Sequence, residues 1–409
     1  MRRAMMVLAL IQFFFLQLSL VAQDSNSLGE IARRQRQSGD NVAHPKVIDS
    51  GEYRTNAPPP IQKPISPFQV FAWLAGGMPS DFLAKEVRTR GLTFYADNEY
   101  IEKAKNAGAE SDLAGELEKA SRTAAQTELG DSEATRNMIQ VAISMKADEY
   151  RSAQRQIRAM LRADNQNADL YFALGNLYHR MEDWDSAAAA FAHAVQLAPD
   201  FAYAWGQLSL MYYHLEDAPE ARTAAEAMLR LQPDTGDGFS YLGLSKQLSG
   251  DYEGALDDLH RADIVEPKHG AIYFYDMGLV YTARKQWPTA VSAYEKAVAI
   301  GPPRWYFYNN LGIALGKVNR VDDAVAAFEK AKEMEPSRPE PRQSFGAVLC
   351  NAGRSEQAVK EFRELLDLVP DWNMARPCLY RSLTRLGRTE EAKQVMEDYK
   401  KYSPDHTAW

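Results

Sequence analysis

The residues of this 409-residue chain that could do chemistry are aromatics and amides set at recurring offsets. Phe172, Asn176, His179 and Arg180 form a first group, Tyr203, Gln207 and Tyr213 a second, and Tyr241 with Gln247 a third. Tyr275 and Asp276 follow, then Tyr306, Asn309, Asn310 and Lys317, and finally Gln343, Asn351, Arg381 and Arg385. Aromatic rings offer contact area and side-chain amides pair with backbone N–H and C=O groups, so the set suits non-covalent recognition of another chain. Any single tyrosine could instead pack between neighbouring helices. The amides gain nothing from burial without partners.

Bond-breaking chemistry has no comparable support. The sequence holds no His-Glu-x-x-His, Cys-x-x-Cys, Gly-x-Ser-x-Gly or Gly-x-Gly-x-x-Gly. The nearest phosphate-loop look-alike, Gly312-Ile-Ala-Leu-Gly316-Lys317, is one residue short and lacks Ser or Thr after the lysine. His179 and His214 fall where neighbouring helices approach, but a metal needs more than two ligands. Cys350 and Cys378 sit six places out of step on adjacent helices, ~9 Å along the axis at 1.5 Å per residue. With ~9 Å between axes, they are expected roughly 13 Å apart, beyond the ~7 Å reach of a disulfide. Two free thiols, no catalytic residue, no metal and no cofactor are therefore expected.

The element that must position the aromatic and amide groups is a repeated unit. Trp305 to Arg338, WYFYNNLGIALGKVNRVDDAVAAFEKAKEMEPSR, is its clearest copy. Counting Trp305 as position 1, large or apolar residues stand at Tyr308, Leu311, Leu315, Phe328 and Met334, small ones at Gly312, Ala324 and Ala331, and proline at Pro336. The spacing predicts two short helices, each with one apolar stripe, facing each other. Glycine and alanine at the contact permit close approach, and the proline ends the second helix. The same frame fits 168–201, 202–235, 236–269, 271–304 after one inserted residue (Gly270), 305–338, 339–372 and 373–406, the last being the most divergent. A degenerate copy, 134–167, keeps Ala153, Ile157, Met160 and Ala163.

This pattern resembles the tetratricopeptide repeat (TPR), a helix-turn-helix of 34 residues. The resemblance implies an all-α fold, a TPR α-solenoid winding as a right-handed superhelix, and a concave groove that binds extended or helical peptide segments. Positions 2, 5, 9, 12 and 13 would line that groove, and the aromatic and amide groups stand there or, as Gln207, Tyr241, Asp276 and Asn310 do, at the adjoining position 6. Members that bind chaperones hold a C-terminal carboxylate with a Lys and Asn set on successive units. Here Asn176 matches, but Phe172, Asp237 and Tyr241 stand where basic residues would be wanted, so that ligand is not expected.

The remaining chain reads as follows. Residues 1–22 begin with Arg2 and Arg3, continue as an apolar run from Ala4 to Leu20 and end in small residues, the pattern of a secretory signal peptide. Gln12, Gln17 and Ser19 interrupt the run, which is short of the ~20 residues that span a bilayer; an uncleaved anchor is the alternative. Residues 23–66, rich in Gln, Ser, Asn and Pro, are expected to be a disordered tether. Residues 67–133 carry apolar groups off the repeat frame and predict a small helical module, with Ser80 and Asp97 as N-caps and Gly91 as a stop. Residues 407–409 are a tail.

The formal charge of −8 argues against nucleic acid, which needs clustered Lys and Arg. The expected protein is an exported, periplasmic or extracellular scaffold that holds a protein or peptide partner in its groove, without a membrane span once the signal is cleaved. A component of an envelope secretion, assembly or polysaccharide-handling complex is the runner-up, and an enzyme with its site in the 67–133 module the remote third. Because no separate capping helix follows Tyr402, the C-terminal repeat is a candidate for weak self-association.

Overall fold

The computed structural model describes residues 63–121 and 132–402. Over these the chain forms 20 α-helices, and the one extended pairing among the described residues is an isolated bridge between Ile65 and Leu92. The expected signal peptide, most of the expected tether and the tail lie outside the described residues. The chain divides into two compact units, Met1–Pro233 and Asp234–Trp409.

The first unit opens with four short helices: α1 (Pro67–Ala75), α2 (Ser80–Arg90), α3 (Asn98–Asn106) and α4 (Ser111–Ser121). A reciprocal cap starts α1, with Gln69 N–H donating to Ser66 Oγ at 3.2 Å and Ser66 N–H to Gln69 Oε1 at 3.1 Å. Asp97 caps α3 through the Tyr100 N–H at 2.7 Å. Ser80 does not cap α2 as expected. It is the first residue inside that helix, and its hydroxyl accepts from the Glu110 N–H at 2.8 Å, which ties the entry of α4 to α2.

Residues 63–66 also depart from expectation. The Pro-rich composition around Pro64 assigns them to the tether, yet Ile65 is fully buried, donating its N–H to Gly91 O and accepting from Thr93 N–H. Composition averaged over a long segment hides one apolar side chain with a pocket and two backbone bonds waiting for it. Three helix pairs then follow in this unit: α5 (Glu133–Lys146) with α6 (Tyr150–Ala163), α7 (Ala168–Arg180) with α8 (Trp184–Leu197), and α9 (Ala202–His214) with α10 (Ala218–Leu231).

The second unit holds five pairs: α11 (Gly236–Leu248) with α12 (Tyr252–Val265), α13 (Gly270–Ala283) with α14 (Trp287–Ile300), α15 (Trp305–Lys317) with α16 (Val321–Met334), α17 (Pro339–Asn351) with α18 (Ser355–Leu368), and α19 (Arg376–Arg385) with α20 (Thr389–Tyr402). Partners within a pair touch through the small residues. A methyl group on Gly312 would lie 2.8 Å from the Phe328 ring, and one on Gly278 only 2.3 Å from Tyr294. Leu311, Leu315, Phe328, Phe345, Leu349 and Phe362 join one core that runs on through Leu379 and Leu383. The inserted Gly270 is absorbed by a 3₁₀ turn, Pro267–His269, ahead of α13.

The turn inside every pair uses one left-handed residue at the fifteenth place of its unit. Glu182, Glu216, Lys285 and Asn319 take it with φ between 57 and 63°, as do Gly250, Gly353 and Gly387. Asp148 does the same between α5 and α6, so the degenerate pair turns like the others although its first-helix pattern is nearly lost.

Candidate peptide-binding groove

In the first unit the stripe expected to line an open groove is covered by the chain itself. The end of α1 and the loop into α2 lie against α7 and α9. Phe172 is fully buried, and its ring stands where a side chain on Gly76 would be, 2.1 Å from an ideal Cβ. Asn176 donates from Nδ2 to Ala75 O at 2.7 Å, and its amide leaves room only for the glycine at 77. Tyr203 packs on Phe82 with ring centroids 4.9 Å apart and donates its hydroxyl to Gly77 O at 3.5 Å. Trp73 completes the contact, tilted against Phe201 and donating Nε1–H to Asp169 Oδ1 at 2.6 Å. Burial pushes the Asp169 carboxyl up, with the Trp73 and Gln69 hydrogen bonds pulling the other way. Beside this contact an open cleft of about 680 Å³ is lined by Trp73, Arg90, Asp169, Phe201, Tyr203 and Gln232 among others.

The other first-unit candidates are tied to nearby turns. Arg180 donates to Asp148 at 2.7 Å and to the Tyr150 hydroxyl at 3.1 Å. His179 and His214 approach as expected, with ring centroids 6.4 Å apart, and Trp184 stacks on His214 at 4.2 Å. Burial, then His214 and Arg180, push His179 down to about 4, so it is neutral near pH 7. Gln207 is buried, and Tyr213 is half-buried against His214.

In the second unit no segment of that unit lies across the corresponding stripe among the described residues, and the side chains fall into three places. At the first, Tyr241 and Gln247 are half-buried on α11. At the centre, Asn310 donates to the Tyr275 hydroxyl at 2.8 Å, Tyr306 packs edge-on against Tyr275, and Arg304 donates to the Tyr306 hydroxyl at 3.1 Å. Tyr275 also stacks on the buried Phe307, so this ring packs between neighbouring helices while its hydroxyl faces the stripe. Asp276 is buried and accepts from the Ser240 hydroxyl at 2.6 Å. Burial, opposed by that hydrogen bond and reinforced by Asp237, pushes Asp276 up to about 7.

Asn309 is a correction. The spacing places it on the exposed stripe, but only 8% of it is accessible. Its amide donates weakly to Asn310 at 3.4 Å, and its Oδ1 has no partner among the described residues. Position five of one helix meets the next helix as well as the groove, and helical periodicity cannot tell the two apart. At the third place Lys317 lies over Trp287, Gln343 donates to Met374 O at 3.5 Å, and Asn351, Arg381 and Arg385 cluster at the C-terminal end of α17.

One grouping has no counterpart in the sequence reading, and a second departs from it. Asp237, Glu266 and His269 each offer a ligand atom within 4.8 Å of one another. The carboxylates already accept from the Gly236 N–H and the Tyr273 hydroxyl. Asp237 comes from the start of α11 while Glu266 and His269 come from the turn after α12, so no local spacing unites all three. The second is the cysteine pair. Helix geometry alone sets Cys350 and Cys378 roughly 13 Å apart, but both thiols reach the same Arg381 Nη2 at 3.2 Å, and Cys350 Sγ lies 3.4 Å from Cys378 O. That expectation treats the helices as level and parallel; packed helices cross at an angle, and side chains close the remaining gap. Both thiols are free.

This geometry, helix pairs stacked through small residues with a polar and aromatic stripe on the first helices, is that of a TPR solenoid. Residues 168–201 match one model of the tetratricopeptide repeat and residues 275–340 another. The chain therefore carries tetratricopeptide repeats, which is consistent with a protein-binding scaffold. Over 147 residues it is 26% identical to BBSome complex member bbs-4 of Caenorhabditis elegans, covering 36% of this chain and 32% of that protein. The chain thus spans about a third of the length of this curated relative. Among solved structures, the APC/C hetero-tetramer Cut9–Hcn1 is similar at 16% identity and a TM-score of 0.53, over 70% of this chain and 56% of the other. A thermophilic TPR protein of Thermus thermophilus, TTC0263, is similar at 21% identity and a TM-score of 0.42, over 45% of this chain and 99% of the other. No helix among the described residues is long and apolar enough to cross a membrane.

Proposed function

We propose that this chain is an exported, non-enzymatic scaffold that grips a peptide segment or partner domain with the stripe of its second unit. One observation carries the reading: in the first unit the equivalent stripe already holds a piece of polypeptide. There an asparagine amide takes a backbone carbonyl, aromatic rings close over glycines, and a tyrosine hydroxyl takes a second carbonyl. Tyr275, Tyr306 and Asn310 offer the second unit the same kinds of group. Export rests on the Arg-led apolar run of residues 1–22.

The test uses the chain from Gln23 onward to capture partners from the cells that make it. The captured protein is then titrated against Asn310→Ala and Tyr306→Ala. Each change is expected to weaken binding by roughly tenfold, the ~1.4 kcal/mol scale of one polar or aromatic contact. Unchanged affinity in both variants would move the site off this stripe. Export is tested by the mass of the mature N-terminus, which should correspond to removal of Met1 to Ala22.

A second reading is favoured by the bbs-4 similarity, since that relative is named as a member of a complex. On this reading the repeats are a fixed part of an envelope assembly. Capture of several subunits in constant ratio would support it, and a single ligand would support the first.

A further inference from the structure

The cysteine pair at the end of the second unit has a use that the groove does not give it. Cys350 lies in the last turn of α17 and is fully buried, while Cys378, on the first turn of α19, is half-buried and reachable. Cys350 Sγ lies 3.4 Å from the backbone carbonyl of Cys378. Arg381 holds both: its Nε and Nη2 each lie 3.2 Å from Cys350 Sγ, and the same Nη2 lies 3.2 Å from Cys378 Sγ. Arg385 fixes the backbone beside them by donating to Cys350 O at 2.6 Å, and Asn351 Oδ1 accepts from Arg381 at 2.9 Å. A guanidinium aimed at two sulfurs is an arrangement that stabilises a thiolate.

We propose that Cys350 and Cys378 form an oxidisable dithiol site whose substrate is a disulfide-bearing oxidant, and that its product is a bridge stapling α17 to α19. The neighbouring Cys378, then Ser382 and Arg381, hold the Cys350 thiol below its usual range against the opposing effect of burial, and Cys350 and burial push Cys378 up. One thiolate facing the guanidinium that touches both sulfurs is the form this arrangement favours. Cys378, its proton passing to Cys350, attacks one sulfur of a small disulfide RSSR and expels RS⁻. The Cys350 thiol gives its proton to that RS⁻, and the resulting thiolate attacks the Cys378 sulfur of the mixed disulfide. A second RS⁻ leaves and takes a proton from solvent. Two electrons pass from the cysteines to RSSR, one S–S bond is broken and one is formed. Arg381 loses its anionic partner and keeps Asn351, which frees cationic charge at this end of the stripe.

The test is to incubate the native full chain with excess hydroxyethyl disulfide and follow the intact mass. The expected end state is the loss of two hydrogens, with no reagent adduct and no titratable thiol. Cys350→Ser should stop at one adduct on Cys378, whereas Cys378→Ser should react at least tenfold more slowly because Cys350 is buried. Arg381→Ala should slow the first step about tenfold, with Arg381→Lys restoring part of the rate, a pattern that a purely structural arginine would not give. Two untouched thiols in the native chain, or adducts that persist on either sulfur, overturn the proposal. The measurement reads sulfur chemistry alone, so it stands apart from whether any partner binds the stripe.

Discussion

Tyr203 and Tyr306 occupy the same second place of their repeats but have different surroundings. Tyr203 lies under the N-terminal module, its ring on Phe82 and its hydroxyl on Gly77 O. Tyr306 leans on Tyr275 and takes a hydrogen bond from Arg304. Phe172 and Tyr275 repeat the contrast at the fifth place: one is sealed beneath Gly76, the other stacks on Phe307 of the following helix. In the first unit this repeat surface is covered by the chain's own N-terminal module. A ligand for the first stripe would have to displace buried aromatic contacts, whereas no described segment of the second unit lies across the second stripe.

The largest test of this contrast is to truncate the ring beneath the module. Phe172→Ala should cost about 3–5 kcal/mol in a urea melt, the usual loss for a buried phenylalanine, while Lys317→Ala should stay within about 0.5 kcal/mol as an exposed change. Equal losses would mean that the two stripes are not differently covered. Leu311→Ala, a core change in the second unit, sets the scale at about 2–5 kcal/mol.

Next in size is the pH dependence of the second unit's centre. Asp276 is raised from 3.8 to about 7, so the folded state binds its proton more tightly than the unfolded chain. Its neutral form suits the buried site, and stability is lost as the pH rises from about 4 through about 7. Asp276→Asn should remove that loss. It should be more stable than the parent at pH 8 by on the order of 4 kcal/mol and differ little at pH 4, in paired thermal melts. A parent whose stability does not fall over this interval would place Asp276 in water.

Smaller effects probe single bonds. Asn176→Ala removes the hydrogen bond to Ala75 O and should cost about 1 kcal/mol, with faster hydrogen exchange confined to α1 and its neighbours. If α1 stays equally protected, the aromatic contacts alone hold the module down. Gly353→Ala should cost about 1 kcal/mol through the left-handed backbone, since nothing lies within 4 Å of the added carbon. The same substitution with no effect on a melt would show that the turn relaxes freely.

The sequence by itself determined the repeat, because helical pairing is local: stripes at Leu311, Leu315 and Phe328, a glycine at 312 and a proline at 336 dictate two helices and their contact. It also marked the aromatic and amide stripe. It did not mark the left-handed places in the turns, where Glu182, Lys285 and Asn319 mask what Gly250, Gly353 and Gly387 would have signalled. Only the tertiary structure decided that α1 fills the first stripe, that Asn309 is buried, and that Cys350 and Cys378 meet at Arg381. Each of these depends on the angle and level at which separate helices lie. Side-chain spacing along a helix fixes which way a residue points, but it carries no information about what stands opposite.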